Sequence, residues 1–198
     1  LCEQAQACIA NNDRPGALAL LNQAVATAPE AARARIDLAR LQHMMGDSGA
    51  ALGTLQALSQ QAPAAVPLAT PLMLETAIAA GQAPEMQALL QAHYAQAPSL
   101  DVLEGIVALQ ALNPTDAATA RQWYVRHLDK EQSLVAAAKW LAEEKLEHEE
   151  FHPQIQRALD HAVKPLTRYR CAACGFEARQ HFWQCPGCQT WDSYPARR

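Results

Sequence analysis

The stretch Asn12-Asp13-Arg14-Pro15-Gly16-Ala17-Leu18-Ala19-Leu20-Leu21 lies over Gly46-Asp47-Ser48-Gly49-Ala50-Ala51-Leu52-Gly53-Thr54-Leu55 with Asp on Asp, Ala on Ala and Leu on Leu. Asp13 to Asp47, Ala17 to Ala51, Leu21 to Leu55 and Pro29 to Pro63 are each 34 residues apart, a period that marks an array of helix hairpins. Each unit reads as a helix, a short turn at Asn or Gly followed by Asp, a second helix, and a Pro that the helix cannot continue through. One such hairpin cannot bury its apolar stripe alone, so the units are expected to stack.

Beyond Pro63 the offset grows by one: Gly46 to Gly81 and Pro63 to Pro98 are both 35 apart. Residues 66–80 and 84–96 form a third predicted hairpin, with Pro67 and Pro71 loosening its start. Residues 99–112 and 115–129 form a fourth, turning at Asn113-Pro114, with Thr115 or Asp116 as the cap of its second helix. From Glu131 the repeat is lost, but Leu134, Ala138, Leu141 and Lys145 keep a helical stripe, expected of a terminal helix that closes the stack. A further helix is predicted around residues 153–163, and Lys164-Pro165-Leu166-Thr167 reads as a linker. The pattern resembles the tetratricopeptide repeat. Ala17 and Ala51 are similar to that motif's close-packing position, Leu21 and Leu55 to its large apolar one, Leu38-Ala39 to the large-small pair of the first helix, and Pro29 and Pro63 to its terminal proline. The motif's aromatic residues are missing, since Arg35 and Gln42 stand where they would be.

Composition agrees with an all-α chain: 50% of the 198 residues are hydrophobic, led by Ala and Leu, while aromatic residues make up only 6%. No run of eighteen apolar residues occurs, and Leu1-Cys2-Glu3-Gln4 has neither an initiator Met nor the basic start of a signal peptide. The chain therefore reads as an excised piece that a membrane anchor or further repeats could precede. Cys2 and Cys8 lack metal spacing and are expected to be small core residues.

Chemistry concentrates at the other end, in Tyr169-Arg170-Cys171-Ala172-Ala173-Cys174-Gly175-Phe176 and Trp183-Gln184-Cys185-Pro186-Gly187-Cys188. Two Cys-x-x-Cys pairs ten residues apart offer Cys171, Cys174, Cys185 and Cys188 as the ligands of one tetrahedral ion. Gly175 and Gly187 are expected to free the backbone where each knuckle is tight. A disulfide pairing is the alternative, and a chain with no other secreted character argues against it. Four Cys ligands leave no position for a water, which favours a structural site. Zinc and iron both accept four sulfurs in a tetrahedron, so one ion of either kind is expected. Tyr169, Phe176, Phe182, Trp183, Trp191 and Tyr194 are the module's apolar company, expected to shield the metal and pack onto the last helices. A domain this small needs the ion, which supplies roughly 10–16 kcal/mol in small zinc modules.

Two other functions compete. A zinc-ribbon nucleic-acid binder would use those aromatics as a stacking platform and the basic residues of the tail, which is +4 over residues 164–198 while the rest of the chain is −8. Four thiolates and a divalent ion would reduce that +4 to +2, so steering is weak. His148-Glu149-Glu150-Phe151-His152 has the H-E-x-x-H form of a zinc peptidase. Against it, Pro153 biases His152 away from helical geometry, and Glu143, Glu144, Glu147, Glu149 and Glu150 read as a solvated acidic helix end. Where the longer peptidase motif needs Gly and His, Ile155 and Ala158 stand. No nucleophile with its base is recognisable, and a non-enzymatic scaffold is expected.

Taken together, a helix-hairpin solenoid over residues 1–163 and a rubredoxin-like or zinc-ribbon module over residues 164–198 resemble the lipopolysaccharide assembly protein B family. The specific part is Tyr-Arg-Cys-x-x-Cys-Gly-Phe, Trp-x-Cys-Pro-x-Cys and Trp-Asp, on which Cys171, Cys174, Cys185 and Cys188 match that family's metal ligands. Gln189 departs from it, standing where a rubredoxin knuckle usually has Gly, and the short gap between the pairs argues against electron transfer. The resemblance implies an inner-membrane helix ahead of these residues, with the repeats and the module on the cytoplasmic face. It also implies an adaptor that regulates lipopolysaccharide synthesis by promoting proteolysis of the committed-step deacetylase through a membrane-bound AAA+ protease. Expected partners are thus that biosynthetic enzyme, the protease, other membrane regulators and further copies of the chain, not a small-molecule substrate or nucleic acid.

Overall fold

The computed structural model describes residues 1–112, 117–142 and 149–196, and the expected turn at Asn113-Pro114 with its Thr115 or Asp116 cap lies outside them, as does Lys145. Among the described residues the helices are α1 (Cys2–Ala10), α2 (Arg14–Thr27), α3 (Ala32–Met44), α4 (Ser48–Gln61), α5 (Val66–Ala79), α6 (Ala83–Gln96), α7 (Leu100–Gln110), α8 (Ala117–Lys130), α9 (Leu134–Ala142) and α10 (His152–Val163). A two-stranded antiparallel ribbon, β1 (Tyr169–Arg170) and β2 (Glu177–Ala178), follows, with Tyr169 opposite Ala178. The molecule divides into two compact units, Leu1–Leu89 and Leu90–Arg198.

In the first unit α1 packs on α2, α2 on α3, α3 on α4 and α4 on α5, the succession of a tetratricopeptide array. The repeat in sequence is a repeat in hydrogen bonding. Asn12, Gly46 and Gly81 have φ of 60°, 85° and 69°, and the amide after each reaches back to close its helix: Asp13 N to Cys8 O at 2.8 Å, Asp47 N to Gln42 O at 3.0 Å, Gln82 N to Ala77 O at 2.9 Å. The next helix then starts on an aspartate. Asp13 Oδ1 accepts from Gly16 N at 2.9 Å, and Asp47 Oδ1 accepts from Ala50 N at 3.0 Å, satisfying amides that the first helical turn leaves without partners.

The 34-residue pattern also sets the packing. Ala17, Leu21, Ala51 and Leu55 are all fully buried. Ala5, Ala17, Leu21, Leu38 and Leu41 form one cluster, against which the half-buried Cys2 and Cys8 pack as expected. Ala5 stands 34 residues before Ala39, and both have no exposed surface, so α1 carries the small first-helix position that its sequence context hides. Where the motif's aromatics are missing, polar ties replace them. The buried Arg35 donates from Nε to the Pro29 carbonyl at 2.8 Å, fastening the turn between repeats, and Gln42 Oε1 accepts from Thr54 Oγ1 at 2.8 Å.

Two expectations change. Pro67 and Pro71 do not loosen the third hairpin: Pro63–Ala65 forms a 3₁₀ turn and α5 runs from Val66 straight through Pro71. Pro67 sits in the first turn, where no amide donor is needed, and burial of Leu72, Met73 and Ala77 holds the helix past Pro71. Lys164–Thr167 is not an extended linker but a 3₁₀ turn that continues α10, with Thr167 Oγ1 donating to Lys164 O at 3.0 Å. In the second unit α7 packs on α8, α8 on α9 and α9 on α10. α9 buries Val135, Ala136 and Ala138, whereas α10 buries no residue.

Among the described residues no single helix is long and apolar enough to cross a membrane; Ser48–Gln61 and Pro63–Ala79 reach that length only together, and the chain bends by 119° between them. Removing the cap in Asp47→Ala is expected to lower the unfolding free energy by about 1 kcal/mol. Asp13→Ala should do the same, each read as a fall in denaturant midpoint at unchanged slope.

Candidate metal centre

Two knuckles with the same hydrogen-bond plan build the site. In the first, Gly175 N donates to Cys171 O at 2.9 Å and Cys171 N donates to Phe176 O at 2.9 Å; in the second, Gln189 N donates to Cys185 O at 2.8 Å and Cys185 N to Thr190 O at 2.9 Å. Each chain reversal needs a left-handed residue just after its second cysteine. Gly175 fills the first at φ 78°, and Gln189 fills the second at φ 61°. The expectation for Gly187 is therefore corrected: its φ is not left-handed, and its use is to let the Phe176 ring lie close, since a Cβ there would stand 3.1 Å from Phe176 Cδ2.

The knuckles face each other. Cys171 Sγ is 3.8 Å from Cys188 Sγ and Cys174 Sγ is 3.7 Å from Cys185 Sγ, and all four sulfurs lie within 4.8 Å of one another. A disulfide would bring two sulfurs to about 2.05 Å, and all four cysteines are free. A tetrahedron with metal–sulfur bonds of about 2.3 Å has edges of about 3.8 Å. The four residues thus fit one ion such as zinc or iron. Cys171 and Cys185 are buried, and Cys174 and Cys188 are exposed.

Surrounding groups bias the sulfurs unequally. Ser193 Oγ lies 3.2 Å from Cys171 Sγ, and this hydroxyl, with the Cys174 and Ala173 amides, holds the Cys171 thiol down to about 6. At Cys185 desolvation works upward, but the Cys188 and Gly187 amides and the Tyr194 hydroxyl outweigh it and the pKa falls. The Phe176 amide favours the Cys174 thiolate, yet desolvation and the demands of the other sulfurs push Cys174 up to about 12. Without a cation the cluster keeps protons, so binding an ion must release them, and affinity falls as pH falls.

The aromatics are used largely within the module. Tyr169 and Tyr194 are buried, and His181, which shows no constellation in the sequence, sits among them. Its ring meets Tyr169 edge-on at 5.6 Å, Trp183 at 4.7 Å and Tyr194 at 6.1 Å. Desolvation lowers its pKa, which keeps the ring uncharged at neutral pH. Of the six, Phe176 and Trp191 are exposed and the other four are buried or half-buried, which leaves little of a stacking platform. For the H-E-x-x-H segment, His148 lies outside the described residues. Glu149–Phe151 is a 3₁₀ turn, and His152 opens α10 with Nε2 3.1 Å from the Leu141 carbonyl, to which it must donate, so that nitrogen cannot ligate a metal.

Residues 169–194 match the family model described as rubredoxin metal binding domain, and residues 9–73 match that of the tetratricopeptide repeat. The chain resembles lipopolysaccharide assembly protein B. The proteins of that name from Escherichia coli K12, O157:H7 and O6:H1 are each 24% identical to it over 198 residues, covering 97% of this chain and 50% of theirs. The chain therefore spans about half the length of the curated relatives it matches. The likeness to lipopolysaccharide assembly protein B takes in repeats and cysteine module together.

Relieving the left-handed strain in Gln189→Gly is expected to stabilise the second knuckle by up to about 1 kcal/mol. The measurement is slower metal transfer to a chelator than in the parent protein.

Proposed function

We propose that this chain is part of a non-enzymatic adaptor in lipopolysaccharide assembly. Its helix hairpins hold other proteins, and Cys171, Cys174, Cys185 and Cys188 ligate one zinc or iron ion that folds the module of residues 164–198 onto an array of residues 1–163. The observation that carries this reading is the convergence of the four sulfurs within 4.8 Å in a chain whose likeness to lipopolysaccharide assembly protein B runs over 97% of its length. Stacked hairpins present an extended surface suited to a partner peptide or helix. When bound, the ion supplies folding free energy and fixed geometry rather than a reactive position, because four sulfurs complete its coordination.

In its finer form, the adaptor presents the committed-step deacetylase of lipopolysaccharide synthesis to a membrane-bound AAA+ protease, at the cytoplasmic face of the inner membrane, together with other membrane regulators. Support for this is the resemblance to lipopolysaccharide assembly protein B; the tetratricopeptide match at residues 9–73 supports protein partners in general.

The purified protein is expected to hold one equivalent of zinc or iron, with the absorption spectrum separating the colourless ion from the coloured one. The double variant Cys185→Ser/Cys188→Ser should lose the metal and, in cells, lengthen the lifetime of the deacetylase. A folded, metal-free variant that still shortens that lifetime fully would overturn the proposed part of the metal module in regulation. Steeply salt-dependent binding to DNA or RNA would instead support the nucleic-acid reading.

A further inference from the structure

Among the described residues, three of the four cluster sulfurs have a hydroxyl beside them and Cys174 has none. Ser193 Oγ is 3.2 Å from Cys171 Sγ, Thr190 Oγ1 is 3.3 Å from Cys188 Sγ, and the Tyr194 hydroxyl is 3.8 Å from Cys185 Sγ. Cys174 has the Phe176 amide and, 3.7 Å away, Cys185 Sγ. With an ion bound the sulfurs carry no proton, so a hydroxyl beside one of them is the donor and the sulfur the acceptor. Ser193 and Tyr194 also have a carbonyl within reach, at Thr190 and Phe176, but the sulfurs they serve are buried in any case.

Exposure narrows the comparison to two residues. Cys171 and Cys185 are buried, so a small reagent arriving from water meets Cys174 and Cys188 first. A thiolate reacts through its lone pairs, and a hydrogen bond to one of them must be weakened as the sulfur shares its electrons with an incoming atom. The Thr190 hydroxyl therefore shields Cys188, and Cys174 has no such shield. Its neighbours in the chain, Ala172, Ala173 and Gly175, have little side chain with which to screen it.

We propose that Cys174 is the residue at which hydrogen peroxide oxidises the metal-loaded cluster and opens it. Its Sγ attacks one peroxide oxygen, the O–O bond breaks and hydroxide leaves, giving a sulfenic acid. Cys185 Sγ, 3.7 Å away, then displaces that oxygen as a second hydroxide, and the two sulfurs are joined. Two thiolates have given up two electrons in all, and one peroxide has taken them. A cluster left with two thiolates no longer completes a tetrahedron and gives up its ion. The inference rests on the reading of the four cysteines as ligands of one ion and adds a site of modification to it.

The test uses the zinc-loaded protein, because zinc itself has no redox chemistry, and its zinc content is measured before peroxide is added. Hydrogen peroxide is then supplied together with dimedone, which traps sulfenic acids. Peptide mass mapping locates the label while a chromogenic chelator reads the zinc set free. Expected is label on Cys174 about tenfold above that on Cys188, with zinc release keeping pace with labelling. Without dimedone the mapped product is a disulfide between Cys174 and Cys185. Thr190 is exposed, so Thr190→Val should keep the fold while raising the label on Cys188 several-fold, and Thr190→Ser should leave it low. Label on Cys188 equal to or above that on Cys174, a disulfide that leaves Cys174 out, zinc release without thiol oxidation, or Cys188 labelling unchanged in Thr190→Val would each overturn the proposal. A protein that takes up no zinc before peroxide is added would overturn the metal reading itself, and this inference with it.

Discussion

Four sulfurs that approach to 3.7 and 3.8 Å across two knuckles are the constraint on which the C-terminal module depends. As thiolates they repel one another, and as thiols they make only weak hydrogen bonds. A divalent ion converts that repulsion into attraction at the distance the structure shows. Nothing else in the module has comparable leverage. Its paired strands are two residues long each, and its hydrophobic interior is a handful of rings around His181. Cys171 and Cys185 are buried while Cys174 and Cys188 are exposed, so an ion held by all four would lie at the edge of the module's interior.

The helical part obeys a different constraint, the need of each hairpin for a neighbour. Ala17 and Ala51 have no exposed surface because the helices that cover them come close, and only a small side chain permits that approach. Each approach is aimed by the turn before it. A left-handed residue at 12, 46 and 81 closes one helix, and an aspartate at 13 and 47 opens the next, so hairpin geometry is specified locally and the stack follows from repetition. Such an array tolerates the loss of its aromatic positions because those positions need only be filled and satisfied. Arg35 and Gln42 do this with hydrogen bonds in place of ring packing.

The parts most legible in the sequence are those governed by spacing. Asp13 and Asp47, Ala17 and Ala51, and the two Cys-x-x-Cys pairs declare themselves by their separations, and the structure puts each where its separation implies. Less legible was whatever depends on a partner distant in sequence. Pro71 reads as a breaker locally, yet the core that Leu72 and Met73 enter overrides it. His127 and Tyr94 are unremarkable on their own helices, and only the fold brings Nδ1 within 2.7 Å of the hydroxyl. His152 completes a peptidase signature by spacing, but its ring nitrogen is committed to the Leu141 carbonyl, eleven positions earlier in the chain.

Gln189 shows how these two kinds of information meet. Read locally, a glutamine is a poor choice for a left-handed turn, since its Cβ crowds the neighbouring carbonyl at a cost of about 1–2 kcal/mol. The turn nonetheless forms at φ 61°, matching Gly175 in the opposite knuckle. Its amide closes the turn onto Cys185 O at 2.8 Å, and its carbonyl accepts from Gln184 Nε2 at 3.1 Å, so the strained residue is held from both sides. Strain of this size persists where the surroundings over-determine the conformation. Here the surroundings end in Cys185 and Cys188, whose sulfurs must meet two others at a fixed separation. The requirement of the four-sulfur cluster therefore reaches the backbone of Gln189 and outweighs what that side chain would choose alone.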